Sequence, residues 1–290
     1  MKHLIGITCS VSKSQNIINS AYIKAFTTEK TTPLLIPNLF EMQNEIMSEK
    51  EKLFLKNQIE VLSEQLDCLV LSGGVDINPT FFKEKIKASS GFNYNRDLME
   101  TELIKAFILK NKPIIGICRG FQLLGKLLGL NYFKQDLGFT NEIHSGNHSD
   151  VSNRKEQMHE VHLFGQFKDY CIKKGSTEKI SINSWHDQGF TLVDSGIRVN
   201  NKDIQDFIDE SKPFKIKDTN KEELTCLDEE DKEKRINQFD ELKIIMSTNK
   251  VIEGFEHKTF PIIAFQNHPE EYSESIAINY CIEKLLEKTI

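Results

Sequence analysis

Two apolar runs of strand length, Asp67-Cys68-Leu69-Val70-Leu71 and Pro113-Ile114-Ile115-Gly116-Ile117, each stop abruptly at a turn that contains glycine. A short unbroken apolar run suits a strand covered on both faces, and such strands belong to parallel sheets layered between helices. The segments around them keep the same rhythm. Leu4–Thr8 and a stretch within Pro33–Pro37 read as strands. Ser14–Thr28, Glu49–Gln65 and Asp97–Asn111 read as helices, and a further helix runs from Cys118 to about Leu128. Lys179–Asn183, Phe190–Val193, Leu242–Ser247, Val251–Phe255 and Pro261–Phe265 read as later strands, and about Glu274–Glu287 as a C-terminal helix. The expectation is an α/β fold: a mostly parallel central sheet flanked by helices on both faces, with a small antiparallel addition. In such folds ligands gather at the carboxyl ends of the strands, and Gly74 and Cys118 both fall at that edge.

The 290 residues suit one domain, 1–290. Within it, 200–241 is roughly half charged with little apolar periodicity, which reads as a solvated insertion. A net charge of -6 argues against a general binder of phosphate backbones, so no nucleic-acid partner is expected. The apolar start at Met1–Thr8 is too short for a signal peptide and reads as a first strand. No apolar stretch approaches the about 20 residues that span a bilayer. The six cysteines are scattered, with no CxxC pair, which fits a reducing cytoplasm. His144, His148, His159 and His162 are irregularly spaced in a segment without cysteine, so no metal site and no cofactor are expected.

Chemistry concentrates in three segments. Gly116-Ile117-Cys118-Arg119-Gly120 joins a strand directly to a helix, the design of a nucleophile elbow. Glycines two residues either side permit a sharp turn and close packing. The helix N-terminus lowers the pKa of a thiol placed there. Taken alone, the pattern fits a buried structural cysteine between packing glycines equally well. Its partner is His268-Pro269-Glu270, which follows the apolar run Pro261–Phe265. His268 can serve as base and acid, and Glu270 can fix its tautomer. The third segment is Ser72-Gly73-Gly74-Val75-Asp76. Backbone N–H groups of Gly74 and Arg119 can form an oxyanion hole. A phosphate cradle is the rival, but no Gly-Lys-Ser/Thr follows.

Together, GICRGFQ, SGGVD and the C-terminal HPE resemble the class I glutamine amidotransferase superfamily, and within it the gamma-glutamyl-gamma-aminobutyrate hydrolase branch, the peptidase C26 group. Arg96-Asp97 with Glu100 resembles that branch's R-D-x-x-E, and Asn183-Ser184-Trp185-His186-Asp187-Gln188 its N-S-x-H-x-Q. The chain departs from the pattern at Gln266-Asn267, where relatives often carry an aromatic residue. The resemblance implies a Cys118-His268-Glu270 triad that cleaves a gamma-glutamyl amide through a thioester. It implies that Gly73 and Gln122 touch the substrate, Gln122 at its glutamyl part, and that His186 and Gln188 border the pocket. A structural histidine beside Trp185 is the alternative for His186. For Arg96 and Glu100 an ion pair that locks the helix to the glycine loop is the favoured reading.

The expected activity is therefore hydrolysis of a small gamma-glutamyl amide, such as one of gamma-aminobutyrate, to glutamate and an amine. The alternatives are a glutaminase subunit that delivers ammonia to a synthase partner, a hydrolase of a nucleotide-linked amide, and a binding module without turnover. The expected partner is the small-molecule substrate, with no membrane association, and a homodimer is the default assembly.

Overall fold

The computed structural model describes residues 2–12, 15–39, 48–82, 84–89, 91–130, 133–137, 156, 159–191, 242–248 and 250–286. The charged segment 200–241, together with His144 and His148, lies outside the described residues. The strands are β1 (His3–Thr8), β2 (Ser10–Ser12), β3 (Gln15–Ile17), β4 (Thr31–Ile36), β5 (Cys68–Leu71), β6 (Ile114–Ile117) and β7 (Phe133–Lys134). They continue as β8 (His159–Leu163), β9 (Lys179–Ile182), β10 (Gly189–Thr191), β11 (Leu242–Ser247), β12 (Val251–His257) and β13 (Ile262–Phe265). The helices are α1 (Ser20–Ala25), α2 (Glu49–Gln65), α3 (Tyr94–Leu109), α4 (Arg119–Leu127), α5 (Gly165–Lys173) and α6 (Ile276–Cys281).

Among the described residues one large sheet runs in the order β4-β1-β5-β6-β13-β12-β11-β8-β9. The first five strands are mutually parallel. From β13 onward every pairing is antiparallel, and β10 and β7 add to β12 from the side. Strands β5, β6 and β13 are buried throughout and alternate strictly between two cores. Leu69, Leu71, Ile114, Ile262 and Ala264 pack with α2, α3 and α4. Cys68, Val70, Ile115, Ile117, Ile263 and Phe265 pack with α1, α5 and α6. This period of two with no polar face is the reason these runs read as continuous apolar sequence. Pro33 sits in β4, at the sheet edge, where a missing N–H is tolerated. Ser48 and Glu51 close a capping box that starts α2. No helix among the described residues is long and apolar enough to cross a membrane.

The helix expected over Ser14–Thr28 is replaced by two elements. Ser10–Ser12 and Gln15–Ile17 pair as an antiparallel hairpin, and the helix is confined to Ser20–Ala25. Asn19 sets the start by accepting the Ala21 N–H at 3.0 Å. Local hydroxyl bonds end it: Thr27 donates to the Ile23 carbonyl at 2.6 Å, and Thr28 accepts from the Thr31 N–H at 3.0 Å. The structure also adds β8 and α5, over residues for which no element was expected.

Register aligns the chemistry. Leu71 pairs with Gly116, and Ile117 with Phe265, so the loops after β5, β6 and β13 leave the sheet side by side. Between the first two, the start of α4 comes unusually near the sheet. A β-carbon at Gly120 would lie 2.3 Å from the Leu71 carbonyl oxygen, and one at Gly116 would lie 2.9 Å from the Gly120 carbonyl carbon. Backbone stands in both spaces, joined at Gly116 by the Leu124 side chain, whose Cδ1 would lie 2.6 Å away. Gly120→Ala is therefore expected to destabilise the fold by about 3 kcal/mol, measured as a lowered urea midpoint. An unchanged midpoint would mean that α4 can move off β5.

Candidate active site

Cys118 occupies the residue between β6 and α4 with φ 53° and ψ -105°. Among the described non-glycine residues only Asn111 shares a positive φ. A side chain is strained there, and such strain persists only where neighbours over-determine it. Here the Cys118 N–H donates to the Phe265 carbonyl at 2.8 Å, and the Cys118 carbonyl accepts the Gln122 N–H at 3.1 Å. The thiol is 4% exposed and stands over the first turn of α4.

His268 follows β13 and is gripped from a distant segment. Asn183 donates to the His268 carbonyl at 3.0 Å and accepts its N–H at 2.9 Å. The ring Nδ1 meets Glu270 Oε1 at 2.7 Å, which assigns the proton to Nδ1 and leaves Nε2 for another partner. Cys118 is the ring's other neighbour, set beside it across Gly73. Burial opposes a charged imidazole, but Glu270 and then Cys118 outweigh it and hold His268 well above its ordinary pKa. A β-carbon placed on Gly73 would fall 2.8 Å from His268 Cε1 and 3.5 Å from the Cys118 β-carbon. The glycine, the thiol and the ring thus meet at one point.

The glycine loop is held by ions. Arg96, wholly buried, donates to the Ser72 carbonyl at 2.9 Å, the Gly73 carbonyl at 3.2 Å and the Ser10 hydroxyl at 3.1 Å. Its Nε meets Glu100 at 2.9 Å, the ion pair expected from the sequence. Glu100 also binds Arg119, which reaches Asp97 as well, and accepts the Thr8 hydroxyl at 2.6 Å. Burial alone would raise the Glu100 pKa, but Arg119 and then Arg96 hold it below the usual carboxylate value. At Asp97 burial wins and the pKa is raised, despite Arg119 and the Asn78 amide. In a planar trans peptide the carbonyl and the following N–H point in opposite directions. With the Gly73 carbonyl fixed on Arg96, the Gly74 N–H is turned away from the ions, and Gly74 lines the cavity.

That cavity measures about 530 Å³ and opens over Cys118 and His268. Gly73, Gln122 and His186 lie on its wall, joined by Tyr22, Trp185 and Asp187. Gln188 does not: its amide reaches Ser89, and its carbonyl accepts from Gln122 at 3.0 Å and contacts His186 Nδ1 at 2.9 Å. Gln188 therefore stands behind the wall and orients two residues on it. Gln266 is fully buried, and its side-chain Oε1 lies 3.4 Å from the Gln122 amide nitrogen. The Arg119 side chain belongs to the ion cluster, while its backbone opens α4 beside Cys118. His159 lies 3.4 Å from Glu253, His162 pairs in β8 with Lys179, and no group among the described residues is arranged to hold a metal. Sequence reasoning gave no role to Tyr22 or to the Asn183 clamp. The N-S-x-H-x-Q segment was the one signal that pointed near Asn183.

Glu100→Gln leaves two buried guanidinium groups short of a counter-charge and is expected to lose about 3 kcal/mol or more of stability at neutral pH. Because the folded-state pKa of Glu100 is lowered, its contribution is present above the unfolded-state value and is lost as pH falls through the folded one. Unfolding curves of wild type and variant should therefore converge in acid. A gap that is constant with pH would show that charge is not the cause.

The peptidase C26 family model matches residues 3–213, which include the glycine loop and Cys118 and end before His268. Over 76 residues the chain is 43% identical to a glutamine amidotransferase-like protein, the YvdE homolog of Lactococcus lactis subsp. cremoris, covering 26% of this chain and 40% of that one. Over 78 residues it is 42% identical to Protein NtpR of Enterococcus hirae, covering 26% and 31%. The matched stretches thus span less than half the length of these relatives. A solved structure from Thermoplasma acidophilum, named for one of the subunits of GMP synthase, aligns over all of both chains with a TM-score of 0.51 at 16% identity, a likeness of fold. With 3–213 matched, well over half of the sequence, the chain belongs to the peptidase C26 family, within the class I glutamine amidotransferase-like superfamily.

Proposed function

We propose that this protein is a hydrolase of gamma-glutamyl amides that works through a thioester on Cys118. The observation that carries the reading is the His268 ring, bonded to Glu270 at Nδ1 and set beside Cys118 across Gly73. The raised basicity of His268 favours an imidazolium beside Cys118. In the first half-reaction the sulfur attacks the gamma-carbonyl carbon. The oxyanion that forms is met by the N–H groups of Gly74 and Arg119. The C–N bond then breaks, and His268 gives its Nε2 proton to the departing amine. In the second half-reaction His268 takes a proton from water, the hydroxide attacks the thioester, and glutamate leaves as the thiol is restored. Throughout, Glu270 keeps the ring in the tautomer that serves both steps. Gln122 is the residue assigned to the glutamyl part; Gly73 and His186 share the cavity wall with it, and Gln188 stands behind.

Glutamate release from a panel comprising gamma-glutamyl-gamma-aminobutyrate, other gamma-glutamyl amides and glutamine tests this. Cys118→Ala is expected to lower the rate by more than about a thousandfold, and wild type should acquire the mass of a glutamyl thioester when quenched in acid. Release by Cys118→Ala at the wild-type rate would sink the mechanism. Turnover confined to glutamine and dependent on an added synthase would replace it with ammonia delivery.

A further inference from the structure

The glycine loop and the His268–Glu270 pair meet at a hydroxyl that no motif singled out. Tyr22 lies on α1, is 4% exposed, and lines the cavity. Its oxygen accepts the Gly73 N–H at 2.8 Å. A β-carbon at Gly73 would fall 3.1 Å from that oxygen and 2.8 Å from His268 Cε1, so the phenol and the imidazole edge flank the same backbone atom. A hydroxyl that accepts from an amide still has its own proton to place. Glu270 offers the matching acceptor among the described residues. Its Oε1 takes the His268 proton, while Oε2 is buried with no hydrogen-bond partner. A buried carboxylate oxygen without a donor is costly, and such groups call for an explanation. Tyr22 and Glu270 also sense each other: burial first, and then the Glu270 charge, hold the phenol protonated, against the pull of the Gly73 amide.

We propose that Tyr22 is a positioning residue for Glu270, donating its O–H to the second carboxylate oxygen while its own oxygen holds the Gly73 amide. The last torsion of a glutamate is soft, and a small rotation brings Oε2 onto the phenol. One hydroxyl then sets both the plane of the carboxylate behind His268 and the place of the glycine loop. The proposal rests on the Cys118-His268-Glu270 reading and assigns no bond-breaking step to Tyr22. The titratable and charged groups that face the hydroxyl are Glu270, Cys118 and Arg96, with His268 beside it across Gly73.

The test is the pH dependence of Cys118 alkylation by iodoacetamide, read by peptide mass spectrometry, with kcat and KM for a gamma-glutamyl amide measured alongside. Without the phenol, the carboxylate behind His268 loses a donor that fixes its plane and supports the imidazolium less well in acid. Tyr22→Phe is therefore expected to move the acid limb of alkylation up by about one pH unit, the scale of one charge-assisted hydrogen bond, and to lower kcat by about tenfold at unchanged KM. Placing 3-fluorotyrosine at position 22, a stronger donor of nearly the same shape, should move the limb the other way, and decides alone if Tyr22→Phe does not fold. Wild-type profiles in both chains would overturn the proposal and leave the triad standing. A wild-type profile in His268→Ala as well would mean that the triad itself is misread.

Discussion

The contact between the first turn of α4 and the end of β5 governs the site. Gly120 comes so close to the Leu71 carbonyl that no other residue fits, and Gly116 is closed in by the Gly120 backbone. A helix that starts this near its own strand leaves one residue to reverse the chain, and that residue is Cys118 at φ 53°. Strain of this kind costs about 1–3 kcal/mol. It is offset by the packing of the helix behind it, where Phe121, Leu123 and Leu124 are wholly buried. The thiol's projection over the carboxyl edge of the sheet is thus a consequence of packing rather than of any bond to the thiol.

A second constraint comes from charge. Arg96, Asp97, Glu100 and Arg119 are almost entirely buried. Such a cluster is poor evidence of added stability, because desolvation cancels much of the Coulombic gain. Its effect is better seen in geometry. An alkyl side chain in place of Arg96 could fill the volume but could not hold two successive carbonyls, Ser72 and Gly73, at hydrogen-bond distance. Fixing those carbonyls turns the following amides the other way, one onto Tyr22 and the next toward the cavity side. Gly74 must be glycine for the same reason: a β-carbon there would lie 2.4 Å from Arg96 Nη1.

Much of this was legible in the residues because local patterns and the fold agree. The α2 span and β11 match their sequence patterns end to end. The elbow was readable because glycine spacing reports backbone geometry directly. What escaped depends on partners far along the chain. Asn183 contributes two bonds to a backbone 85 residues away, which no local pattern encodes. Strand β12 runs on to His257, two residues beyond its apolar pattern, since Glu256 is buried against Lys284 and Tyr280 of the C-terminal helical segment. Tyr22 was hidden in a stretch whose apolar spacing suits a longer helix, until Asn19 and Thr28 are seen to cap and end it.

The position of β13 explains why a distant His-Pro-Glu can serve this cysteine. It is the last parallel strand and the first to meet the antiparallel part, so the sheet changes character beside the nucleophile. Register does the rest. Phe265 pairs with Ile117, which sets Cys118 one residue past the pair on one strand and His268 three past it on the other. Side chains alternate faces along a strand, so a slip of one residue would carry Phe265 from one core to the other. The alternating burial of Ile262, Ile263, Ala264 and Phe265 between the two cores forbids that slip. The apolar residues of a short strand therefore hold the imidazole to the sulfur, and the polar groups around His268 refine a placement that packing has already made.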